Sequence, residues 1–176
     1  DNYIRNRKAF ADALAPGALS LFSSNDTYPT GADGTLPFRQ DSNMLHMCGV
    51  DQEETVLLIF PNAHNAADRE ILFVTETSPE IAIWEGAKLT KAQATAQTGV
   101  KNIQWLSMLE RTIQRLVTEC SCCYLHQNEH TRAKVVVETR EARFNQWFTE
   151  TYPHVRVERS APILHRLRSV KSEEEI

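Results

Sequence analysis

Residues 55–60 read Thr55-Val56-Leu57-Leu58-Ile59-Phe60, the strongest apolar run in the chain. The run is strand-sized and far short of the ~20 apolar residues of a membrane-spanning helix. Working outward, Ile71 to Thr75 gives a second strand after a polar Asn/Ala/His/Asp connection, Ala18 to Phe22 a buried strand, and Cys120 to His126 a fourth. Helical signals lie between them. Tyr3 to Leu14 carries apolar residues at amphipathic spacing and ends at Pro16-Gly17. Thr90 and Gln93 form a capping box and Gly99 a stop, which predicts a helix over Lys91 to Thr98. Leu106, Leu109, Ile113, Leu116 and Val117 follow helical spacing, with Ser107 and Glu110 as a second capping box. Val137 to Tyr152 reads as helix, ended by Pro153, and Ser23 to Pro37 as a long polar loop. Strands alternating with helices, some joined by short links, predict an α/β layered domain with a mixed sheet.

The 176 residues hold 19 Lys+Arg against 23 Asp+Glu, a net charge of −4. That length suits one domain, able to bury roughly 70% of its unfolded surface without a disulfide or metal. With 41% hydrophobic and 24% charged residues, intrinsic disorder is excluded. A mildly acidic chain is a poor nucleic-acid binder, because such binding rests on neutralising phosphates. No run predicts a membrane partner. The polar stretch Asp1 to Lys8 has no apolar core of a signal peptide, which predicts a cytoplasmic protein, and the missing initiator Met leaves room for residues upstream. At the other end, Ile163, Leu164, Leu167 and Val170 predict a short helix. Ser172 with Glu173 to Glu175 makes a third capping box, so a second domain is expected to begin there; the bland alternative is a frayed acidic tail.

Cys120, Cys122, Cys123, His126 and His130 invite a zinc reading, but zinc sites use Cys-x2–4-Cys pairs separated by a loop, and the single cysteine cluster here has no second pair across a loop. Cysteines in an apolar strand are more often small buried hydrophobes. No Gly-x-Ser-x-Gly elbow, phosphate-binding glycine loop or His-Glu-x-x-His occurs. The acidic run Asp51 to Glu54 lacks the apolar surroundings that would separate its pKa values, and reads as a solvated turn. Two places remain. Leu36-Pro37-Phe38-Arg39-Gln40-Asp41-Ser42-Asn43 packs an aromatic, a guanidinium and a carboxylate together. Arg39 and Asp41 either pair locally and fix the loop, or Arg39 presents its planar fork to a carboxylate or partner subunit. Trp84-Glu85-Gly86 holds an aromatic that is either a core plug or an interface anchor.

Four anchors in order resemble the N-terminal domain of the Xaa-Pro aminopeptidases (aminopeptidase P), of the creatinase/prolidase "pita-bread" superfamily. The opening Tyr-x-x-Arg-Arg-x-x-Leu pattern is loosely echoed by Tyr3 to Phe10. Pro37 to Ser42 matches the Pro-Phe-Arg-Gln-Asp-Ser block in full, whereas the Tyr-Leu-Thr-Gly that follows it keeps only Gly49. Ile83-Trp84-Glu85-Gly86 matches next, and Leu167, Arg168, Lys171, Ser172, Glu175 and Ile176 match the last block. The resemblance implies a three-layer α/β domain with a mixed six-stranded sheet of ribonuclease H-like layout. It implies an N-terminal domain over 1–160, with 161–176 linking to a C-terminal catalytic domain.

In that family the last block opens the catalytic domain, whose Asp, His and Glu ligands hold two divalent metal ions, usually manganese. The resemblance therefore implies a noncatalytic domain with no metal or catalytic residue of its own. Its parent would be a homo-oligomeric enzyme that removes the first residue from peptides with Pro second. It also implies that Trp84, Arg39 and Asp41 lie near a neighbouring subunit's substrate entrance. The alternatives are a prolidase or creatinase relative, or a peptidase-like binding module without activity.

Overall fold

The computed structural model describes residues 2–130, 132, 134–171 and 173. Helix α1 (Asn2–Ala13) leads into strand β1 (Ala18–Ser23), and an exposed hairpin of β2 (Pro29–Gly31) and β3 (Gly34–Thr35) follows. Then come α2 (Ser42–Cys48), β4 (Val56–Ile59), β5 (Glu70–Val74), α3 (Pro79–Glu85), α4 (Lys91–Thr98) and β6 (Asn102–Trp105). The chain continues through α5 (Leu109–Leu116), β7 (Cys122–Leu125), α6 (Arg140–Thr151), β8 (Val157–Arg159) and α7 (Ala161–Arg168). None of the described helices is long and apolar enough to cross a membrane.

Among the described residues the main sheet has six strands in the order β6-β5-β4-β1-β7-β8. β4 runs antiparallel to both β1 and β5, while β6 is parallel to β5, β7 to β1 and β8 to β7. β4 alone therefore opposes the other five. Without the outer strand β6, this is the mixed ribonuclease H-like layout expected above.

The unbroken apolar runs follow from burial on both faces. Side chains alternate across a strand, so each central strand feeds two cores. Leu19, Leu21, Val56, Leu58, Ile71, Phe73 and Cys123 pack against Ile113 and Leu116 of α5 and Phe148 of α6. On the opposite face Phe22, Leu57, Ile59, Leu72 and Val74 meet Phe10 of α1, Met44 and Met47 of α2, Ala94 of α4 and Leu164 of α7. Three layers result.

The predicted helices over 3–14 and 91–98 agree with α1 and α4, and the capping box of Thr90 and Gln93 forms as read. The box at Ser107 and Glu110 does not. Residues 106–108 instead make a 3-10 turn that sets both Leu106 and Leu109 against the first core, and Met108 precedes α5 without a side-chain cap. The helix expected from Val137 starts at Arg140, because the Thr139 hydroxyl accepts from the Ala142 amide and caps it there. Val135 to Val137 stay exposed. The predicted strand over 120–126 shortens to β7, and the long loop at 23–37 folds in part into the β2–β3 hairpin. Of the capping box read at Ser172 to Glu175, Ser172, Glu174 and Glu175 lie outside the described residues.

α2, α3, β6 and β8 are additions to the sequence reading. α2 is a seven-residue helix between two stops: Asp41 accepts from the Asn43 and Met44 amides, and Gly49 closes it in the left-handed conformation at φ +67°. A Cβ at Gly49 would sit inside the Tyr3 ring of α1. Gly49→Ala is therefore expected to destabilise the domain by at least about 1 kcal/mol, the cost of one strained residue, with the clash added. Chemical denaturation of the two proteins side by side measures the difference.

Candidate functional site

Because β1, β5, β6, β7 and β8 run the same way, their C-terminal ends share one edge of the sheet, where β4 begins. Open α/β sheets place their ligand crevices at that edge. Here it gathers the β2–β3 hairpin after β1, Glu53 and Glu54 before β4, α3 after β5, His126 after β7 and α7 after β8.

A cleft of about 450 Å³ opens there, lined among others by Gln40, Asp41, Asn43, His126, Glu141 and Arg168. Gln40 frames it: its amide nitrogen donates to the Val50 and Gln52 carbonyls, and its side-chain oxygen accepts from the Asn25 and Asp41 amides. Asp41 then directs Oδ1 to the Asn43 and Met44 amides at 2.9 and 3.0 Å, while Oδ2 lies 3.8 Å from His126 Nε2. His126 is 6% exposed and packs its ring against Phe22, with centroids 5.9 Å apart. Its Nε2 lies 2.8 Å from Asn43 Nδ2 and 3.9 Å from Glu141 Oε2. Arg168 of α7 donates to Asn43 Oδ1 at 2.7 Å.

The two carboxyls flanking His126 shift in opposite directions. Burial alone would raise Asp41, but His126 and the amides of Met44 and Asn43 outweigh it and hold the group below its usual range. Burial raises Glu141, and neither the Asn128 amide nor His126 fully offsets it. With the imidazole nitrogen engaged by an amide and two half-buried carboxylates close by, the cleft is suited to binding and orienting a polar group.

The sequence-derived residues part company here. Asp41 lines the cleft and faces His126 at 3.8 Å rather than pairing with Arg39. Arg39 is exposed; its carbonyl accepts from Asn25 Nδ2, and among the described residues its guanidinium has no hydrogen bond or ion pair. Trp84 stands on α3, a helix with no buried residue, and is 88% exposed, so it is not a core plug. Its neighbour Glu85 lines a separate polar cleft of about 290 Å³ with Asp26, Glu53, Lys88 and Arg140. Glu53 and Lys88 pair there, so the acidic run is partly built into a site rather than wholly a solvated turn.

His126 entered the sequence reading only beside the cysteines. Cys122 and Cys123 are buried on opposite faces of β7, and all four cysteines are free. Among the described residues no group of three or more His, Cys, Asp or Glu is placed to hold a metal ion. Glu141 and Arg168 were not singled out as site residues, since they come from distant helices. The one local signal was Asp41 ahead of a Gly49 stop.

The carboxyl shifts set two signs. Asp41, lowered on folding, contributes stability above the usual carboxylate range that disappears as pH falls through its folded value. Glu141, raised on folding, costs stability as pH rises through its folded value. Glu141→Gln keeps an acceptor for the Asn128 amide and removes that cost. At pH 7 its melting temperature should rise by a few degrees at most, as for polar substitutions worth under about 1 kcal/mol. Thermal melts from acid to neutral pH should show the gain vanish once Glu141 is protonated in both states.

Comparison with known proteins gives one consistent family. The family model described as "Aminopeptidase P, N-terminal domain" matches residues 3–125. Xaa-Pro aminopeptidase of Escherichia coli (strain K12) is 25% identical over 174 residues, covering 98% of this chain and 39% of its own length. Xaa-Pro aminopeptidase 3 of Homo sapiens is 26% identical over 157 residues, covering 87% of this chain and 30% of its own length. Among solved structures, Pseudomonas aeruginosa aminopeptidase PepP superposes with a TM-score of 0.80 at 20% identity, over 98% of this chain and 39% of that one. Zinc-substituted E. coli aminopeptidase P in complex with product gives 0.75 at 24%, over 99% and 40%. The chain thus spans between 30% and 39% of the length of these two relatives. With its six-stranded sheet and the Pro37–Ser42 and Ile83–Gly86 anchors, the chain belongs to the aminopeptidase P N-terminal domain family.

Proposed function

We propose that this chain is the noncatalytic N-terminal domain of a metal-dependent Xaa-Pro aminopeptidase, which removes the first residue from peptides with Pro second. The observation that carries this is coverage: nearly the whole chain aligns with relatives of that name, yet with only about two fifths of the E. coli enzyme. Residues 1–160 form the domain proper, and 161–176 lead toward a C-terminal catalytic domain, with α7 packing Leu164 back into the core. The described residues offer no group suited to a two-metal site, and we place the metal pair, manganese, in the catalytic domain. Four free cysteines, three of them buried, suit a reducing cytoplasmic setting.

The domain's role is to support a homo-oligomer and to shape the substrate entrance through Trp84, Arg39 and Asp41. A tryptophan 88% exposed on a helix with no core face supports this for Trp84, since exposed aromatics are frequent interface anchors. The open guanidinium of Arg39 supports it too, as a bidentate donor for a carboxylate. Asp41 contributes indirectly, by fixing the start of α2 beside Arg39.

Two experiments test the proposal. The 176-residue chain, given manganese and a peptide with Pro second, is expected to bind no stoichiometric metal and to leave the peptide intact; clear turnover would overturn the reading. In the full-length parent, Trp84→Ala should lower kcat/KM about tenfold or more while shifting the melting temperature little, in keeping with loss of an interface anchor. Matched losses of activity and stability would make Trp84 a purely structural residue.

A further inference from the structure

Arg168 on α7, Asn43 on α2 and His126 beyond β7 form a hydrogen-bonded chain whose polarity is fixed at one end. A guanidinium carries donors only, so the Asn43 atom it meets at 2.7 Å is the carbonyl Oδ1. Asn43 Nδ2 is thereby left facing His126 Nε2 at 2.8 Å. Nδ2 donates, so Nε2 accepts. The ring is then neutral with its proton on Nδ1, a buried atom with no hydrogen-bond partner among the described residues. That tautomer leaves a buried donor unsatisfied, a costly arrangement.

The same Nε2 faces the opposite demand. Asp41 Oδ2 from the α2 N-cap and Glu141 Oε2 from α6 lie within 3.8 and 3.9 Å. The Glu129 carboxylate beyond β7 adds a longer-range attraction for a positive ring. The other charged or titratable groups lining the cleft are Arg168 and His165 of α7, and His130. Phe22 of β1 covers the ring face and offers no polar group. Nε2 therefore stands between an amide donor that needs it bare and carboxylates that favour it protonated. One nitrogen cannot satisfy both.

We propose that His126 is a proton-operated latch on α7. A proton taken up from solvent at Nε2 forms an N–H bond that points at the Asn43 amide nitrogen, donor against donor. If the ring turns to Asp41 and Glu141, Asn43 Nδ2 loses its acceptor inside the protein. If instead the amide rotates to offer Oδ1 to the ring, Nδ2 faces Arg168 and that hydrogen bond breaks. The second route breaks the tie between α2 and α7 outright, and the first leaves the Asn43 amide that makes the tie without the partner that fixes its orientation. α7 is then held chiefly by apolar contacts, Leu164 among them, and by the longer Arg168–Ser42 contact of 3.3 Å. Histidine is the side chain type that changes charge between about pH 5 and 8, which sets the range over which the latch is to be tested. This inference concerns the chain itself and stands whatever its parent catalyses.

Two measurements on the 176-residue chain decide it. Nitrogen-15 NMR of the His126 ring above the histidine range should show the Nδ1–H tautomer; the Nε2–H tautomer would overturn the proposal. Hydrogen exchange of the α7 amides, corrected for intrinsic pH dependence, should report opening about tenfold or more greater near pH 5.5 than near pH 7.5, the effect of losing one charge-assisted hydrogen bond. His126→Gln should make that dependence flat. Asn43→Asp, whose carboxylate accepts from Arg168 and a protonated ring together, should keep α7 protected at the lower pH. Equal opening of the unaltered chain at both values would overturn the latch, as would an unchanged dependence in His126→Gln. Should His126→Gln fail to fold, the ring tautomer and Asn43→Asp decide: loss of α7 protection near pH 5.5 in Asn43→Asp, as large as in the unaltered chain, would overturn it.

Discussion

Burial of β1 on both faces is the constraint on which the other elements depend. All six of its residues are buried, and its backbone pairs antiparallel to β4 on one side and parallel to β7 on the other. A strand with no solvent face needs helices above and below it. The two aromatics of the second core, Phe10 and Phe22, meet edge to face with centroids 5.2 Å apart, so α1 is set against β1 by a specific ring contact as well as by area. The parallel pairing of β1 with β7 requires a crossover rather than a hairpin. That crossover carries the chain through β4, β5, β6 and α5, and it leaves the turns after β1 and β7 side by side. The cleft is the gap between those two turns, and His126, its ring packed on Phe22, is part of its lining.

The same arrangement demands one buried cation. Arg7 of α1 is fully buried, with Nε on Glu70 at the start of β5 at 3.0 Å and Nη1 on the Met47 carbonyl at the end of α2 at 2.9 Å. A buried charge is tolerated only when it is paired and hydrogen-bonded, so α1, α2 and β5 are locked to one another through a single side chain. Glu70 is one-third exposed, so one partner of the pair keeps part of its hydration. Removing Arg7 would thus act mainly through α2 and the Met47 carbonyl. α2 is pinned from both ends: Arg7 at its C-terminus, and Asp41 with Gln40 at its N-terminus.

The sequence disclosed whatever repeats and little that occurs once. The four core strands were legible because burial on two faces makes their runs continuously apolar, and α4 was legible because Thr90, Gln93 and Gly99 mark both of its ends. α2 and α3 were not, since seven residues hold fewer than two full turns and α3 has no buried side to impose a period. β8 is three residues at the sheet edge with exposed Val157 and Arg159, so hydrophobicity does not mark it. Arg7 reads as a surface charge in an amphipathic helix, because composition cannot show that Glu70, 63 residues away, will face it. The cleft was half legible. Asp41 and Asn43 sit in the quoted block, whereas His126, Glu141 and Arg168 join them only through the β1–β7 pairing and the packing of α6 and α7.

The Pro37–Ser42 block, the most specific anchor in the sequence, divides when placed in the fold. Gln40 uses both ends of its amide to join Val50 and Gln52 to Asn25 and Asp41, and Asp41 uses one oxygen to start α2. Their bonding is taken up by holding the loop in shape. Arg39, between an exposed turn and these two, is held only through its backbone, so the loop presents the guanidinium outward. Two residues of the motif lock the loop, and the third leaves a planar donor, of the kind that can meet a carboxylate bidentately, in solvent. Trp84 follows the same logic on α3, where Ser78 and Pro79 fix the start, Gly86 ends the helix and the indole is left in solvent. In both places the chemically distinctive side chain is left facing solvent.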